Sequence, residues 1–552
     1  MRPTNPHRFI SFLSSPLLRA PSARTRLSAQ FVSKGRYVSQ HPFASIQNQP
    51  AASKASATPA TVPKQDAEIT PLETQLMNAI KLTGPITLAQ YMRQCLTDPQ
   101  SGYYTTRGQT TSTTPFGTTG DFITSPEISQ VFGELLGLWA FVEANAQGAL
   151  ATGRGLRLLE FGPGKGTLMA DMLRSINTLR GNVKEVIMIE KSDYLRNIQH
   201  KKLCGGDAAP PMEPTEKGFV STTPTGTQIY WYEDVKFLPE ISRRDKGAPC
   251  EIHILHELLD ALPIHAFQSS AGQWRELMVT HKSLNQPRTP HFAPGLVART
   301  SPNANDPFHL TLSPSTTPHS LVLPKSSKRY MDLLKLDGAT IEISPDSLTL
   351  AALIAKRISG SPSGGAALII DYGTDGTVPS HSLRGIRNHR RVSPFARPIG
   401  GVDLSADVDF FGVAEAVIKE VQGVEVYGPV EQGTFLTQLG VEFRLEGMVK
   451  AMKQQKMSET EIKNVTSAVR RLVDGGVEGM GKVYKALAIV PKGRWDRRGG
   501  VLGFGGNFED PTDGEIKEER QEAERDHKWE EQQKREEEEH RRKIEAVKNK
   551  TQ

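Results

Sequence analysis

Residues 156 to 161, LRLLEF, are a nearly continuous apolar run. Gly162, Gly164 and Gly166 follow, and TLMADMLRSI then repeats apolar side chains at Leu168, Met169, Met172, Leu173 and Ile176. A short run that is apolar on both faces predicts a parallel strand inside a sheet, and the 3.6-residue period after it predicts an amphipathic helix. The alternation recurs along the chain. Val186 to Ile189 predicts a second strand, ending at Glu190 before a helix, and QIYWYEDV predicts a third, with Asp234 just beyond it. Ile252 to Leu255 predicts a fourth, which delivers His256 and Glu257 at its carboxyl end, and AALIIDYG predicts a fifth that ends at Asp371. EVYGPVEQGTFLTQLG and GKVYKALAIVP predict a final pair of strands with helices between them, the last strand reversed. The expected fold class is α/β, a Rossmann-like domain with a mostly parallel seven-stranded sheet. In open sheets of this kind ligands bind beyond the carboxyl ends of the strands. That rule converges Glu160, Glu190, Asp234, Glu257 and Asp371 on one crevice.

The pattern also sets boundaries. Residues 66–150 predict an N-terminal helical segment of the same domain. Within it SPEI has Ser125 at a helix cap, Pro126 first and an early acid, ahead of EISQVFGELLGLWAFV. The sheet domain is expected over 151–495, interrupted between strands four and five by an insertion at 270–365. There QWRELMVT begins as a strand, two Pro-rich stretches read as loops, and SPDSLTLAALIAKRIS reads as a capped helix. Such an insertion overhangs the cleft, either to recognise a protein or as scaffold. Further on, HSLRGIRNHRRVSP carries Arg384, His389 and Arg390, which either close over a ligand, grip an acidic surface or remain exposed loop charges.

Composition changes the picture at the two ends. The first 65 of the 552 residues hold six Arg, three Lys and no Asp or Glu, contributing +9 to a formal net charge of +6 and leaving −3 for the rest. The basicity therefore belongs to the leader, and the folded body is not a basic nucleic-acid surface. Arg-rich, Ser-rich and acid-free is the composition of an organelle transit peptide, so 1–65 is expected to direct import. Residues 496–552 end in an almost wholly charged and polar run without an apolar stripe, which predicts a solvated extension. No segment approaches the roughly 18 apolar residues of a membrane span. Three scattered cysteines, Cys95, Cys204 and Cys250, form no C-x-x-C pair and suit a reducing compartment.

The glycine turn lets backbone approach a ligand closely, and the helix behind it offers free N–H groups. Glu190, an acid at the end of the second strand, is placed to accept from both ribose hydroxyls of an adenosine cofactor. Glu160 chooses between cofactors: an acid inside EFGPGKG repels a pyrophosphate and attracts the cationic amino end of S-adenosyl-L-methionine. Asp234 is positioned for an adenine amino group. HELLD, residues 256–260, comes within one residue of the zinc-protease helix H-E-x-x-H. That site needs two histidines one turn apart on a continuous helix. Asp260 stands where the second would be, Pro263 interrupts the helix and the preceding residues alternate into a strand. No metal is expected there, and His265 reads as an ordinary polar residue rather than a third ligand.

GDFITSPEISQVFGELLGLW (120–139), LLEFGPGKGTL (158–168), WYEDV (231–235), HELLDALPIHAFQ (256–268), IIDYG (369–373), DLSADVDF (403–410) and GPVEQGTFLTQLG (428–440) occur in this order. Together they resemble the MidA-like mitochondrial complex I assembly factors, which are protein arginine methyltransferases. The resemblance covers about residues 70 to 492 and omits both ends. It implies a class I S-adenosyl-L-methionine-dependent fold in the mitochondrial matrix and symmetric dimethylation of an arginine on a core complex I subunit. Such a reaction joins two cations, so carboxylates must bind and orient the guanidinium, whose planar fork suits them. Glu257 and Asp260 are the candidates. Asp121, behind the Thr- and Gly-rich loop 105–120, is a further candidate in a stretch that helix initiation explains equally well. A factor that holds the methyl donor without turnover, and a metallohydrolase, are the competing readings.

Overall fold

The structure is a computed structural model that describes residues 69–106, 120–241, 245, 247–283, 306–493 and 500–505. The expected leader, the charged tail from 506 onward, the covering loop at 107–119 and the Pro-rich stretch 284–305 lie outside the described residues.

The N-terminal segment is helical for local reasons. Thr70 caps α1 (Pro71–Thr83), accepting from Glu73 N–H at 3.1 Å, and Thr87 caps α2 (Leu88–Thr97), accepting from Gln90 N–H at 3.1 Å. The expected helix starting at Ser125 is broken. A short helix, Ser125–Ile128, follows Thr124 at its N-cap position without a side-chain capping bond, and Ser129 then adopts an extended conformation and caps α3 (Gln130–Ala146). The serine hydroxyl accepts from Val131 N–H and so starts a new helix instead of continuing the old one. Helix α3 is apolar nearly all round because it packs under the sheet. Gly133 and Gly137 let it touch the next helix, where added Cβ atoms would stand 2.6 Å from Asp171 Cβ and 2.9 Å from the Met172 carbonyl.

The sheet domain follows: β1 (Leu156–Phe161), α4 (Thr167–Thr178), β2 (Val183–Ile189), α5 (Asp193–Cys204), β3 (Gly218–Thr222), β4 (Gln228–Tyr232) and β5 (Cys250–His256). A second, smaller sheet comes next, from β6 (His265–Ser270), β7 (Gln273–His281), β8 (Phe308–Leu312) and β9 (Thr340–Ile343). The chain then returns through α6 (Pro345–Gly360), β10 (Gly365–Thr374), α7 (Phe410–Glu420), β11 (Val424–Glu431) and β12 (Tyr484–Pro491). In space the main sheet runs β11-β12-β10-β5-β1-β2-β4-β3, extended by Glu213–Pro214 beside β3 and by Val408–Asp409 on β10. Strands β10, β5, β1, β2 and β4 are mutually parallel, while β12 runs against both of its neighbours. The expected mostly parallel seven-stranded sheet is thus corrected to a mixed sheet of ten strands. The additions past β4 come from a hairpin, in which Gly226 at φ +87 turns β3 back onto β4.

The smaller sheet begins at His265, five residues before the expected insertion, and its strand β7 also pairs with Ile86–Thr87 between α1 and α2. Helices α1 and α2 therefore share a core with it, in which Leu72, Leu76, Tyr91 and Met92 meet Ala266, Leu277, Val279 and Phe308. This unit hangs beside the carboxyl end of β5. Because the chain leaves β1 toward β2 and later returns to β5 on the other side, the two connections diverge there and open a crevice. Gly162 and Leu258 face each other across it.

Candidate active site

The glycine turn after β1 takes left-handed backbone at Gly162 (φ +65), Gly164 (φ +51) and Gly166 (φ +75). A Cβ on Gly162 would stand 3.0 Å from Leu258 Cδ1, so the close approach of the two strand ends needs glycine there. Glu190 leaves the end of β2 buried, accepting from Ser192 N–H at 2.8 Å and from Gln199 Nε2 at 3.1 Å. Burial pushes its carboxyl up to about 7 against these donors. Gln199 holds the pieces together: its Nε2 also donates to the Gly164 carbonyl at 2.7 Å, and its Oε1 accepts from Trp231 Nε1 at 3.0 Å. Glu160 is 3 % exposed and its Oε2 meets no hydrogen-bond partner. Burial, then Glu190, pushes it up to about 8. A buried carboxylate oxygen aimed into a cleft without a donor is costly unless a cation or donor enters.

On the other lip, His256 ends β5 and the chain turns sharply. Glu257 sits at φ +48, a conformation that non-glycine residues rarely hold. The turn is fixed by Asp371 at the end of β10, whose Oδ2 accepts from the N–H groups of Leu258, Leu259 and Asp260 at 3.0, 2.8 and 3.3 Å. Its Oδ1 accepts from Tyr372 N–H at 2.8 Å. Glu257 Oε1 accepts from the Tyr484 hydroxyl at 2.9 Å and, at 3.4 Å, from the N–H of Ser125 at the start of the short helix. Burial, then Asp260, pushes Glu257 up to about 8. Asp260 is raised by burial against the pull of Arg384, and Asp403 is pushed up to about 7 by burial and Asp260. The Tyr104 hydroxyl donates to Asp403 Oδ1 at 2.8 Å. Arg384 pairs with Asp407 at 2.5 Å and lies 5.3 Å over the Tyr372 ring, which itself packs 4.2 Å from Tyr484. This lip holds several carboxyls against Arg384, an arrangement suited to a cationic guest.

A cavity of about 390 Å³ joins the two lips. Glu160, Gly162, Gly164, Glu190 and Glu257 line it, with Tyr104 and Phe122 as aromatic walls. Gly166, Asp234, Asp260 and Asp121 stand outside that lining. Gly166 is the left-handed residue that starts α4. Asp234 caps the turn Val235–Phe237, accepting from Lys236 N–H at 3.0 Å, with its side chain 44 % exposed, while its neighbours Glu233 and Val235 reach the cavity. Asp260 backs Glu257. Asp121 is buried and binds the Tyr103 hydroxyl at 2.7 Å and Asn388 N–H at 2.8 Å, fastening the N-terminal segment to the loop after β10.

Gln199, Tyr484, Asp403 and Tyr104 were not singled out by the sequence pattern. Gln199 carried a signal, since a polar residue on the buried face of α5 must find donors and acceptors. HELLD is not a helix: it is the end of β5, a left-handed residue and the 3-10 turn Leu259–Ala261. His256 packs 5.0 Å from the Phe132 ring, and burial lowers it to about 3, so it is neutral. His265 turns away, toward Glu276 on β7. Among the described residues no helix is long and apolar enough to cross a membrane, and the three cysteines are buried and form no disulfide with one another.

Residues 135–430 match the family described as "Putative S-adenosyl-L-methionine-dependent methyltransferase". The mouse protein arginine methyltransferase NDUFAF7, mitochondrial, is 35 % identical over 444 residues, 78 % of this chain and 87 % of its own. The Caenorhabditis elegans homologue is 34 % identical over 78 % of this chain and 89 % of its own, and the human protein 32 % over 77 % and 85 %. A Burkholderia thailandensis crystal structure with S-adenosyl-homocysteine bound shares the fold with a TM-score of 0.56 at 22 % identity, covering 78 % of this chain and 93 % of its own. The cofactor is S-adenosyl-L-methionine, and the cleft fits it: Glu160 offers a buried oxygen without a partner among the described residues, and at Gly162, in left-handed backbone, a Cβ would press to 3.0 Å from Leu258 Cδ1. The chain belongs to the NDUFAF7 protein arginine methyltransferase family.

Proposed function

We propose that this chain methylates an arginine side chain of a protein, with Glu257 as the carboxylate that holds and orients the guanidinium. The observation that carries the reading is the acid surplus around Glu257, which lines the cavity opposite Glu160 and Glu190 while Asp260, Asp371 and Asp403 stand behind it within electrostatic reach. Bound beside Glu160 and Glu190, S-adenosyl-L-methionine supplies an electrophilic methyl group whose bond to sulfur breaks as the bond to the guanidinium nitrogen forms. Glu190 would hold the ribose hydroxyls, and Glu160 would face the cationic amino end. The Tyr484 hydroxyl and the Ser125 N–H fix Glu257, so the guanidinium is aligned without reorganisation of its partner. Glu257 enters protonated more readily than an ordinary glutamate, and an arriving cation draws it to the carboxylate. Once methylation has released the nitrogen's proton, either Glu257 or water accepts it. Asp260 and Asp371 are positioning residues that shape the Glu257 turn.

The relatives' names and the Arg-rich leader support import into mitochondria, and the reading extends to the matrix. The resemblance of the motifs extends it further, to symmetric dimethylation of a core complex I subunit. The test supplies purified protein with labelled methyl donor and unmethylated complex I subunits, then hydrolyses the product. Label is expected on arginine as symmetric dimethylarginine. Label confined to another residue type would overturn the arginine assignment, and cofactor binding with no transfer to any subunit would favour a methyl-donor-binding factor.

A further inference from the structure

His265, Glu276 and His319 lie on the smaller sheet, and their ligand atoms all fall within 4.8 Å of one another. Glu276 is on β7 opposite Phe267 of β6, so His265, two residues earlier on β6, approaches it along the diagonal of the pair. His319 comes from the first turn of the short helix Pro318–Val322, which Thr317 caps. The His265 Nδ1 is 2.7 Å from Glu276 Oε1, and the His319 Nδ1 is 3.4 Å from Oε2. The two rings pack with centroids 4.2 Å apart. Two imidazole nitrogens and both oxygens of one carboxylate thus face the same small volume.

The burial of Glu276 makes this arrangement informative. Its side chain is fully buried, and among the described residues the bases within ion-pair reach are these two histidines, with no Lys or Arg. A buried carboxylate needs a compensating charge. A cation bound between the three side chains meets that need through donors already turned toward one another, and neutral imidazole is the form that binds metal. The Thr317 hydroxyl donates to Glu276 Oε2 at 2.5 Å, the kind of outer partner that orients a ligating carboxylate.

We propose that His265, Glu276 and His319 form a zinc site. The donor set, two nitrogens and one oxygen, suits zinc among the common divalent ions. Ligands about 2.0–2.1 Å from zinc stand about 3.3–3.4 Å apart in a tetrahedron, which the Glu276–His319 pair already meets. The His265 contact at 2.7 Å is to the other carboxylate oxygen, Oε1, so binding through Oε2 requires the carboxylate and the His265 ring to rotate as the ion replaces the proton between them. The half-exposed His319 ring leaves the fourth position to water. The ion joins the short helix to β6 and β7, and it is separate from the methyl-transfer cleft, since His265 points away from HELLD.

The full-length protein is stripped with a strong chelator, given one equivalent of Zn²⁺, desalted and assayed by elemental analysis, with Fe²⁺ in a parallel anaerobic sample. About one zinc per chain is expected in the wild type, with a melting temperature raised on loading. His319→Ala, at a half-exposed position, should fold and bind S-adenosyl-L-methionine as the wild type does while its zinc affinity falls by on the order of 100-fold. Glu257→Gln should retain zinc, which separates this site from the cleft. A wild type that retains neither metal, a His319→Ala protein that retains as much zinc as the wild type, or selective retention of Fe²⁺ would overturn the proposal. The first result would mean that His265 and Glu276 share only a hydrogen bond.

Discussion

The two lips of the cleft are both acidic, but they are supported differently. The β1–β2 lip draws its carboxylates, its glycines and Gln199 from residues 160 to 199, with Glu127, Trp231 and Tyr232 adding contacts from outside. The β5–β10 lip collects Glu257, Asp371, Asp403 and Tyr484 from segments far apart in the chain, with Ser125 and Tyr104 contributed by the N-terminal segment. A site made within one βαβ unit can be preformed by local hydrogen bonds. One assembled across the fold depends on every packed element arriving, and it can place carboxylates closer than local chain geometry allows. The first lip therefore suits an invariant cofactor, and the second suits the reacting cation.

If that division of labour is right, removing charge from each lip should damage different quantities. Glu257→Gln keeps the shape and an acceptor for Tyr484 but loses the negative charge. Methyl transfer should fall by about 10²- to 10⁴-fold, the usual size for a positioned acid–base group, while S-adenosyl-L-methionine affinity stays within about threefold. An equal loss of cofactor affinity, measured by calorimetry, would mean that the lips do not act separately. Glu190→Gln is the converse. A hydrogen bond to a charged group contributes about 1.5–3 kcal/mol, so the cofactor dissociation constant should rise about 10- to 100-fold, with kcat at saturating cofactor much less affected. A kcat loss as large as that of Glu257→Gln would place Glu190 in the chemistry.

The same contrast explains what the sequence made legible. Glu160, the three glycines and Glu190 could be found because a buried strand, a glycine turn and an amphipathic helix are periodic patterns read within one window. Glu257 was found from its place at a strand end. Its left-handed backbone was not, because that conformation is imposed by Asp371, 114 residues later in the chain. Tyr484 and Asp403 sit in runs that read as ordinary strand and turn, and only the pairing of β12 with β10 and the fold of the 384–405 segment bring them to the cleft. Ser129 misled the helix boundary because an extended serine can end one helix and cap the next. The hairpin that widens the sheet was signalled by TTPTGTQ, but one turn glycine does not say on which edge a strand will pair.

The elevated acids supply a smaller effect with a definite sign. Glu257 and Glu160 reach about 8 and Glu190 and Asp403 about 7 in the folded protein. The cofactor-free native state therefore binds more protons than the unfolded chain, whose carboxyls titrate near 4–4.5, and its stability declines as pH rises from there through 7–8. His256 is neutral across this window, and the other titratable groups facing Glu257 are Asp260, Asp371, Asp403, Tyr372 and Tyr484. Above pH 7, where the histidines held neutral by burial no longer differ between the folded and unfolded chains, the melting temperature of the cofactor-free protein should fall toward pH 8, and S-adenosyl-L-methionine should raise it more at pH 8 than at pH 7. On the activity side, kcat/KM should rise about fivefold from pH 7 to pH 8 as Glu257 ionises. A flat profile would remove Glu257 as the group that controls the cationic guest.

Asp121 gives the sharpest use of the comparison, because it is a buried acid near the second lip that should matter least to rate. Its carboxylate accepts from Tyr103 and Asn388, and its carbonyl accepts from His389 N–H, so it fastens two segments and stands outside the cavity lining. Asp121→Asn removes the charge and exchanges one acceptor for a donor. The expected cost is about 1–3 kcal/mol of stability, seen as a lower melting temperature, with kcat within about threefold of the wild type at a temperature where both are folded. A kcat loss approaching that of Glu257→Gln in a fully folded variant would transfer Asp121 from the frame of the cleft to its chemistry. The acid surplus would then extend one element further toward the N-terminal segment, and the second lip would be chemically active along its whole length rather than at the turn after β5.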